Sequence, residues 1–514
     1  MRGKKGIEEA QFVRNRGLVG LGRIPGTLRP RAKALGLRIM VYYPYVSKDV
    51  AAESVMEMVG FEQLFQESEF VSLHVALTKD NRHMMGMEQF KKMNFYEAEI
   101  LKCERRIKKI ENNPDPAKLR SNKILYEIER DLNIARLRDW REGKPFIEGL
   151  TAPLIRAMGF EPLDLDICAD RSTVDRSRFD TIRALGLPDY ACDRTVVCID
   201  MCLKKELPPP NLIVSHNCAC DPIKLAYNTV GRLFNAPVAC LDFGLEANND
   251  TLSYVTDQMG EIIEFAQKKI PGVKYDESKL IELQTYDRAA YGYLNDIYQL
   301  RKRVPCPIAG RDAFRLPLPP SYYPDQAKAL EYFRIWRDEM QERADKGIGA
   351  VNEEKLRVLW AVSGPFYTDP FSFLEKRGVS IPWFQFDMAM RWSGVKYPLY
   401  GDKTEYGRKL APLEEEARMM NSLSWGGLAQ RWVEDTLFVC RDLNIDAIIN
   451  FKQVGCTATV GLAKILEDCA ERELGIPTLH FEGRQLDPSY FDPVQVNTQL
   501  NVFVDSCLRR KGLA

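Results

Sequence analysis

One local pattern occurs twice in this chain: a short apolar strand, a turn holding a cysteine, then a helix. "NLIVSHN" runs through Cys218 and Cys220 into the helical "PIKLAYNTVGRLF". "DAIINF" runs through Cys456 into "ATVGLAKILEDCAEREL". Around the first copy stand "GKPFIEGLTAPLIRAMGFEPLDLD" (strand, helix, strand) and the strand "APVACLDF", followed by two long amphipathic helices between about 252 and 303. Around the second stand the strands "KLRVLWAVSG", "SIPWFQFD" and "IPTLHFEG", with helices between them. Strands alternating with helices predict α/β architecture with doubly wound parallel sheets. The expected divisions are a first α/β domain over 146–320 and a second over 321–514, facing a cleft.

The cysteines sit where such folds do their chemistry. Cys220 and Cys456 each end a strand just before a helix, the edge at which open α/β sheets bind ligands. A helix N-terminus favours a thiolate through its positive dipole end and open backbone donors. Two facing sheets would present both sulfurs to one group, and Cys192 in the polar loop "LPDYACDRT" offers a third. Cys103, Cys240, Cys440, Cys469 and Cys507 lie inside apolar elements and read as small buried hydrophobes. Cys198, Cys202 and Cys218 crowd the same segment as Cys192.

Composition narrows the metal. The chain has 13 cysteines but only four histidines, and no C-x-x-C pair. Zinc sites favour such pairs and histidines, whereas an iron–sulfur cluster needs thiolates alone. Lys plus Arg and Asp plus Glu balance at 72 each, so no basic field points to nucleic acid or to a membrane surface. No apolar run reaches the roughly 18 residues that span a bilayer. The expectation is a cytoplasmic protein of two to four domains within 514 residues.

Between about 94 and 145 the sequence is charged and helical. Tyr96, Ile100, Cys103, Ile107 and Ile110 fall at helical spacing, "NNPDP" breaks the run, and a second helix follows from about Leu119. This segment reads as a helical cap or a partner-facing element.

The N-terminal 93 residues have a different character. "GLVGLGRIPGTLRPRAKALGLRIMVYYPY" reads as strand, glycine turn, helix over 29–35, then strand. Gly20 and Gly22 match two glycines of a dinucleotide turn, but Pro25 replaces the third and Tyr43 stands where an acidic residue would hold the ribose. Residues 17–93 resemble part of the NAD-binding domain of D-2-hydroxyacid dehydrogenases. The resemblance stops before the catalytic residues of that family, so the segment reads as a degenerate, partial βαβ remnant. An active NAD-dependent dehydrogenase is the least favoured function.

From about Phe95 onward the chain resembles a component of the 2-hydroxyacyl-CoA dehydratase and benzoyl-CoA reductase family. The resemblance rests on "GKPFIEGLTAPLIRAMGFEPL", "LPDYACDRT", "LPPPNLIVSHNCACDPIKL", "DAIINFKQVGC" and "ERELGIPTLHFEGRQLDPSYFDPVQVNTQLNVFVD", in that order. It implies two Rossmann-like halves whose cleft holds a four-iron four-sulfur cluster, ligated here by Cys192, Cys220 and Cys456 with the fourth position open. Cys198 is the alternative first ligand. The extra sulfur leaves room for the double-cubane 8Fe-9S cluster seen in relatives. The implied activity is loss of water from an (R)-2-hydroxyacyl-CoA through a ketyl radical. The implied partners are an ATP-hydrolysing iron–sulfur activator and a homologous second subunit. Ring reduction of an aromatic acyl-CoA, as in benzoyl-CoA reductase, and a non-catalytic supporting subunit are the alternatives. Gly483 and Arg484 stand where many relatives are more acidic. His216 ends a strand beside the cysteines and His480 lies within a strand, and both read as structural. "SWGGL" at 424–428 reads as a helix break.

Overall fold

The computed structural model describes residues 15–19, 38–42, 57–61, 63–64, 68, 70–74, 94–114, 118–172, 177–184, 186–188, 190–217, 221–314, 317–362, 364–365, 367–385, 404–421, 428–490 and 492–513. They fall in two compact units, Met1–Lys92 and Met93–Ala514.

In the first unit, strands β1 (Asn15–Val19), β2 (Arg38–Tyr42), β3 (Glu57–Met58) and β4 (Phe70–Leu73) form a parallel sheet in the order β3-β2-β1-β4. Successive side chains point to opposite faces. Leu18, Ile39 and Val41 therefore form one apolar cluster, and Val19, Met40, Val59 and Leu64 the other. Burial on both faces is what a parallel sheet requires. The two strands expected around the glycine turn are present. The turn itself, the helix expected over 29–35, and Tyr43 lie outside the described residues.

The second unit opens with a helix pair. Asn94 accepts from the Glu97 amide at 3.0 Å, and Glu97 accepts from the Asn94 amide at 3.2 Å. This reciprocal cap starts the helix Phe95–Asn112. The helix Ser121–Arg141 follows the proline-containing break.

Two parallel four-stranded sheets then share one topology. The first has β5 (Phe146–Glu148), β6 (Glu161–Pro162), β7 (Leu212–His216) and β8 (Val238–Leu241), in the order β6-β5-β7-β8. The second has β9 (Leu356–Ala361), β10 (Val379–Phe384), β11 (Ala447–Gln453) and β12 (Thr478–Gly483), in the order β10-β9-β11-β12. In each sheet the first strand lies between the second and the third. The connections thus reverse direction between β5 and β7, and again between β9 and β11. Those reversals open a crevice at the carboxyl ends of the strands.

Sequence neighbours do not always share a core. Ala417 and Met420 of the helix Pro412–Asn421 pack with Ile147, Val214 and Val255 around the first sheet. Conversely, Leu125 and Ile128 of the helix Ser121–Arg141, and Ile297 of the helix Glu277–Leu300, pack with Val358, Trp360 and Phe451 of the second sheet. Among the described residues, no helix is long and apolar enough to cross a membrane.

Candidate functional site

A cavity of about 660 Å³ lies at the carboxyl ends of both sheets. Glu148 and His216, the last residues of β5 and β7, line it from the first sheet, and Gln453, the last of β11, from the second. Val362, directly after β9, also lines it with φ +72°. A β-branched residue pays for that backbone conformation, which is tolerated where a site fixes it.

Cys192 and Cys456 both reach this cavity, one from each half. Cys192 is the N-cap of the helix Asp193–Leu203, and its carbonyl accepts from the Val196 amide at 3.1 Å. Cys456 precedes the short helix Thr457–Gly461, and its carbonyl accepts from the Val460 amide at 3.2 Å. Both are half-buried. Their loops touch through backbone. A Cβ on Gly455 (φ +81°) would lie 2.4 Å from the Tyr190 carbonyl oxygen and 2.7 Å from the Cys192 nitrogen. Only glycine fits there.

A buried ion pair reinforces the contact. Arg484, just past β12, donates to Asp193 Oδ1 at 2.6 Å and to the Ala191 carbonyl at 3.3 Å. The other Asp193 oxygen accepts from the Leu486 amide at 2.9 Å and the Asp487 amide at 3.3 Å. One carboxylate next to Cys192 thereby fastens the start of its helix to the second half of the unit.

The remaining candidates fall differently. Cys220, with Cys218, lies outside the described residues, between β7 and the helix Asp221–Phe234. Cys198 lines the cavity but is buried in the helix Asp193–Leu203, where burial pushes its thiol well up. Cys202 is likewise pushed up, to about 12. Among the described residues, no group of three or more His, Cys, Asp or Glu is arranged to hold a metal ion. Two placed thiols at helix starts, in touching loops, fit a thiolate-ligated cluster whose third candidate is Cys220.

Cys103, Cys440 and Cys507 are buried, as expected of small core residues. Cys240 is not. It is exposed, because β8 is an edge strand whose outer positions are left uncovered. Cys469 is half-buried, with Arg472 Nη2 at 3.2 Å from its sulfur. His216 sits edge-on to Tyr227 (5.7 Å between ring centres) and to Phe243 (6.3 Å). His480 pairs through Nδ1 with Asn450 at 3.1 Å, and burial pulls its pKa down. Residues 424–427 of "SWGGL" lie outside the described residues.

Sequence reading missed the ionisable side chains of the cavity wall. Arg194 grips Asp170 through two contacts of 2.7 and 2.5 Å, and burial lifts Asp170 to about 6 against that partner. Ser321 donates to Asp287 from its amide (2.8 Å) and its hydroxyl (2.7 Å), and burial raises Asp287 to about 7. The Tyr227 hydroxyl touches both Glu148 and Asp166. The i, i+4 spacing of Asp166 and Asp170 in "DLDICADR" was the available signal, since it places both on one helical face.

Fold and site together define an α/β protein of two like parallel sheets that share a cysteine-lined cleft. The chain belongs to the family of the 2-hydroxyglutaryl-CoA dehydratase D-component, whose family model matches residues 151–507. It is 24% identical to the (R)-2-hydroxyglutaryl-CoA dehydratase subunit alpha of Acidaminococcus fermentans, over 58% of this chain and 61% of that one. It is 22% identical to the (R)-phenyllactyl-CoA dehydratase alpha subunit of Clostridium sporogenes, over 58% of this chain and 70% of that one. The chain is thus related to components of multi-subunit dehydratases.

Residues 8–96 match the NAD binding domain of D-isomer specific 2-hydroxyacid dehydrogenases. Over 82 residues the chain is 45% identical to the glyoxylate reductase of Korarchaeum cryptofilum, which is 16% of this chain and 25% of that protein. It therefore spans about a quarter of that relative.

Proposed function

We propose that this chain is the iron–sulfur subunit of a 2-hydroxyacyl-CoA dehydratase. It would receive a low-potential electron from a separate ATP-hydrolysing iron–sulfur activator, act beside a homologous second subunit, and remove water from an (R)-2-hydroxyacyl-CoA. The observation that carries this reading is the meeting of Cys192 and Cys456 in one cavity at the reversal points of both sheets. Cys220 is the proposed third ligand. We read residues 1–93 as a dehydrogenase-like remnant and 94–145 as a helical cap.

The reaction explains the need for such a site. The β-hydrogen of a 2-hydroxyacyl thioester is barely acidic. One electron added to the thioester carbonyl gives a ketyl radical anion, which expels the 2-hydroxyl and acidifies that hydrogen. When bound, a four-iron four-sulfur cluster would supply the electron and an iron position open to the thioester oxygen. The chain's own residues prepare the place. Cys192 and Cys456 each stand where a helix begins. Gly455 lets the two loops close on one another, and the Asp193–Arg484 pair ties the Cys192 loop to the end of β12.

The test is turnover by the full chain with its partner subunit, activator, ATP and an (R)-2-hydroxyacyl-CoA under strict anaerobiosis. Formation of the 2,3-unsaturated thioester is the expected result. Reduction of benzoyl-CoA in its place would assign a ring reductase. Turnover by the partner and activator without this chain would make it a supporting subunit. Either would overturn the proposal.

A further inference from the structure

The cavity wall holds a proton arrangement that follows from counting hydrogens. The Tyr227 hydroxyl lies 2.7 Å from Glu148 Oε1 and 3.0 Å from Asp166 Oδ1. A phenol carries one hydrogen, so it can donate along only one of these contacts. The other contact is a hydrogen bond only if the carboxyl on that side carries a proton and donates to the phenolic oxygen. The tyrosine stays protonated, because burial and both carboxylates push its pKa well up.

Position decides which carboxyl keeps the proton. Glu148 is 4% exposed, whereas Asp166 is half-buried on the cavity side. Removing a carboxylate from water penalises its charged form most where burial is deepest. The other Glu148 oxygen accepts from the Leu165 amide at 2.8 Å, so the carboxyl is fixed at both ends.

We propose that Glu148 is the proton store of this cleft, exchanging its proton with Asp166 through the Tyr227 hydroxyl. The transfer is a double hop: the Glu148 O–H proton moves to the phenolic oxygen as the phenolic proton moves to the Asp166 carboxylate. No charge is created or lost. Its use in turnover rests on the dehydratase reading, although the store itself does not. Dehydration releases hydroxide from the α-carbon and a proton from the β-carbon. A relay that lends the proton completing water, and regains one when the β C–H bond breaks, returns to its starting state each cycle.

The surroundings favour the protonated form. Burial, then Asp166 and Asp164, raise Glu148 to about 8, against the Tyr227 and Leu165 hydrogen bonds. Asp164 is itself paired with Arg136. Cys198 and Cys202 face Glu148 from the helix Asp193–Leu203, Tyr96 from the helix Phe95–Asn112, and Tyr322 from the turn Pro320–Tyr322. Cys168 faces it from the helix Leu165–Arg171. Burial raises each of these groups, so all are neutral near pH 7.

Infrared difference spectra of the full chain between pH 6 and pH 9 test the store without any turnover. The wild type should lose a protonated-carboxyl band with a midpoint near 8. Glu148→Gln, which mimics the protonated acid, should lack that component. If the Glu148→Gln spectrum matches wild type, or the band disappears only in Asp166→Asn, Glu148 is not the store.

Tyr227→Phe tests the path. It should keep the band but lower kcat by about tenfold or more and alter the solvent isotope effect. Unchanged kcat and isotope effect would overturn the relay. If the wild type proves inactive in the dehydratase assay, that reading falls, while the infrared result still decides the store.

Discussion

Gly455 concentrates the constraint on the site in a single position. Its left-handed backbone would cost an alanine about 1–2 kcal/mol. The added carbon would also press on the Tyr190 and Cys192 backbone, which no rotamer change relieves. We expect Gly455→Ala to lower the thermal midpoint by several degrees and to speed thiol labelling of Cys192. Equal labelling rates in variant and wild type would show that the loops do not depend on this contact. Cys192 and Cys456 were legible in the sequence because their signal is local: a cysteine beside a strand end or in a polar loop. Glu148, Asp166 and Tyr227 were not, because Glu148 precedes Tyr227 by 79 residues and tertiary packing alone brings the three together. Cys240 misled for the same reason in reverse, since an apolar strand gives no sign of lying at an edge.

The helix Asp193–Leu203 and the end of β12 are joined mainly by Asp193 and Arg484. Removing one partner of a buried pair strands the other charge, at about 3–5 kcal/mol. Arg484→Ala should lose that amount in denaturant unfolding, and Arg484→Lys much less. A loss below about 1 kcal/mol, the range of exposed pairs, would contradict a fastening role. The helix Pro412–Asn421 is docked differently. Glu416 accepts from Gln284 Nε2 at 2.6 Å and from the Thr151 hydroxyl, and burial raises it to about 7. A carboxyl raised in the folded state binds more protons folded than unfolded, so its stabilisation is full below about pH 4.5 and is lost as pH rises through about 7. Glu416→Gln should therefore match wild type in thermal midpoint at pH 5 and exceed it at pH 8. Equal midpoints at both would place the proton elsewhere. Strand and helix periodicity made most of these elements legible. The helix start after Cys192 was missed because the loop is polar, and the exchange of helices between the two sheets left no local trace.

Across the whole molecule, two sheets of one topology meet at a cleft lined by Cys192 and Cys456, and the N-terminal unit carries a parallel sheet in the order β3-β2-β1-β4. With Pro25 and Tyr43 in place of the third glycine and the acidic residue, that unit is expected to leave NADH fluorescence unquenched. Saturable quenching on titration would contradict this reading. Parallel sheets were legible from strand–helix alternation alone. The contact between the loops of Cys192 and Cys456, 264 residues apart in the numbering, follows only from the assembled fold. The central claim is that these loops and Cys220 hold an iron–sulfur cluster. It is tested most directly by iron and acid-labile sulfide per chain after strictly anaerobic purification of wild type and Cys456→Ala. About four of each in the wild type, lost in the variant and bleached by air, is the predicted result; about eight irons would indicate the larger double-cubane cluster. Iron and sulfide absent from both proteins would contradict the account and return these cysteines to packing.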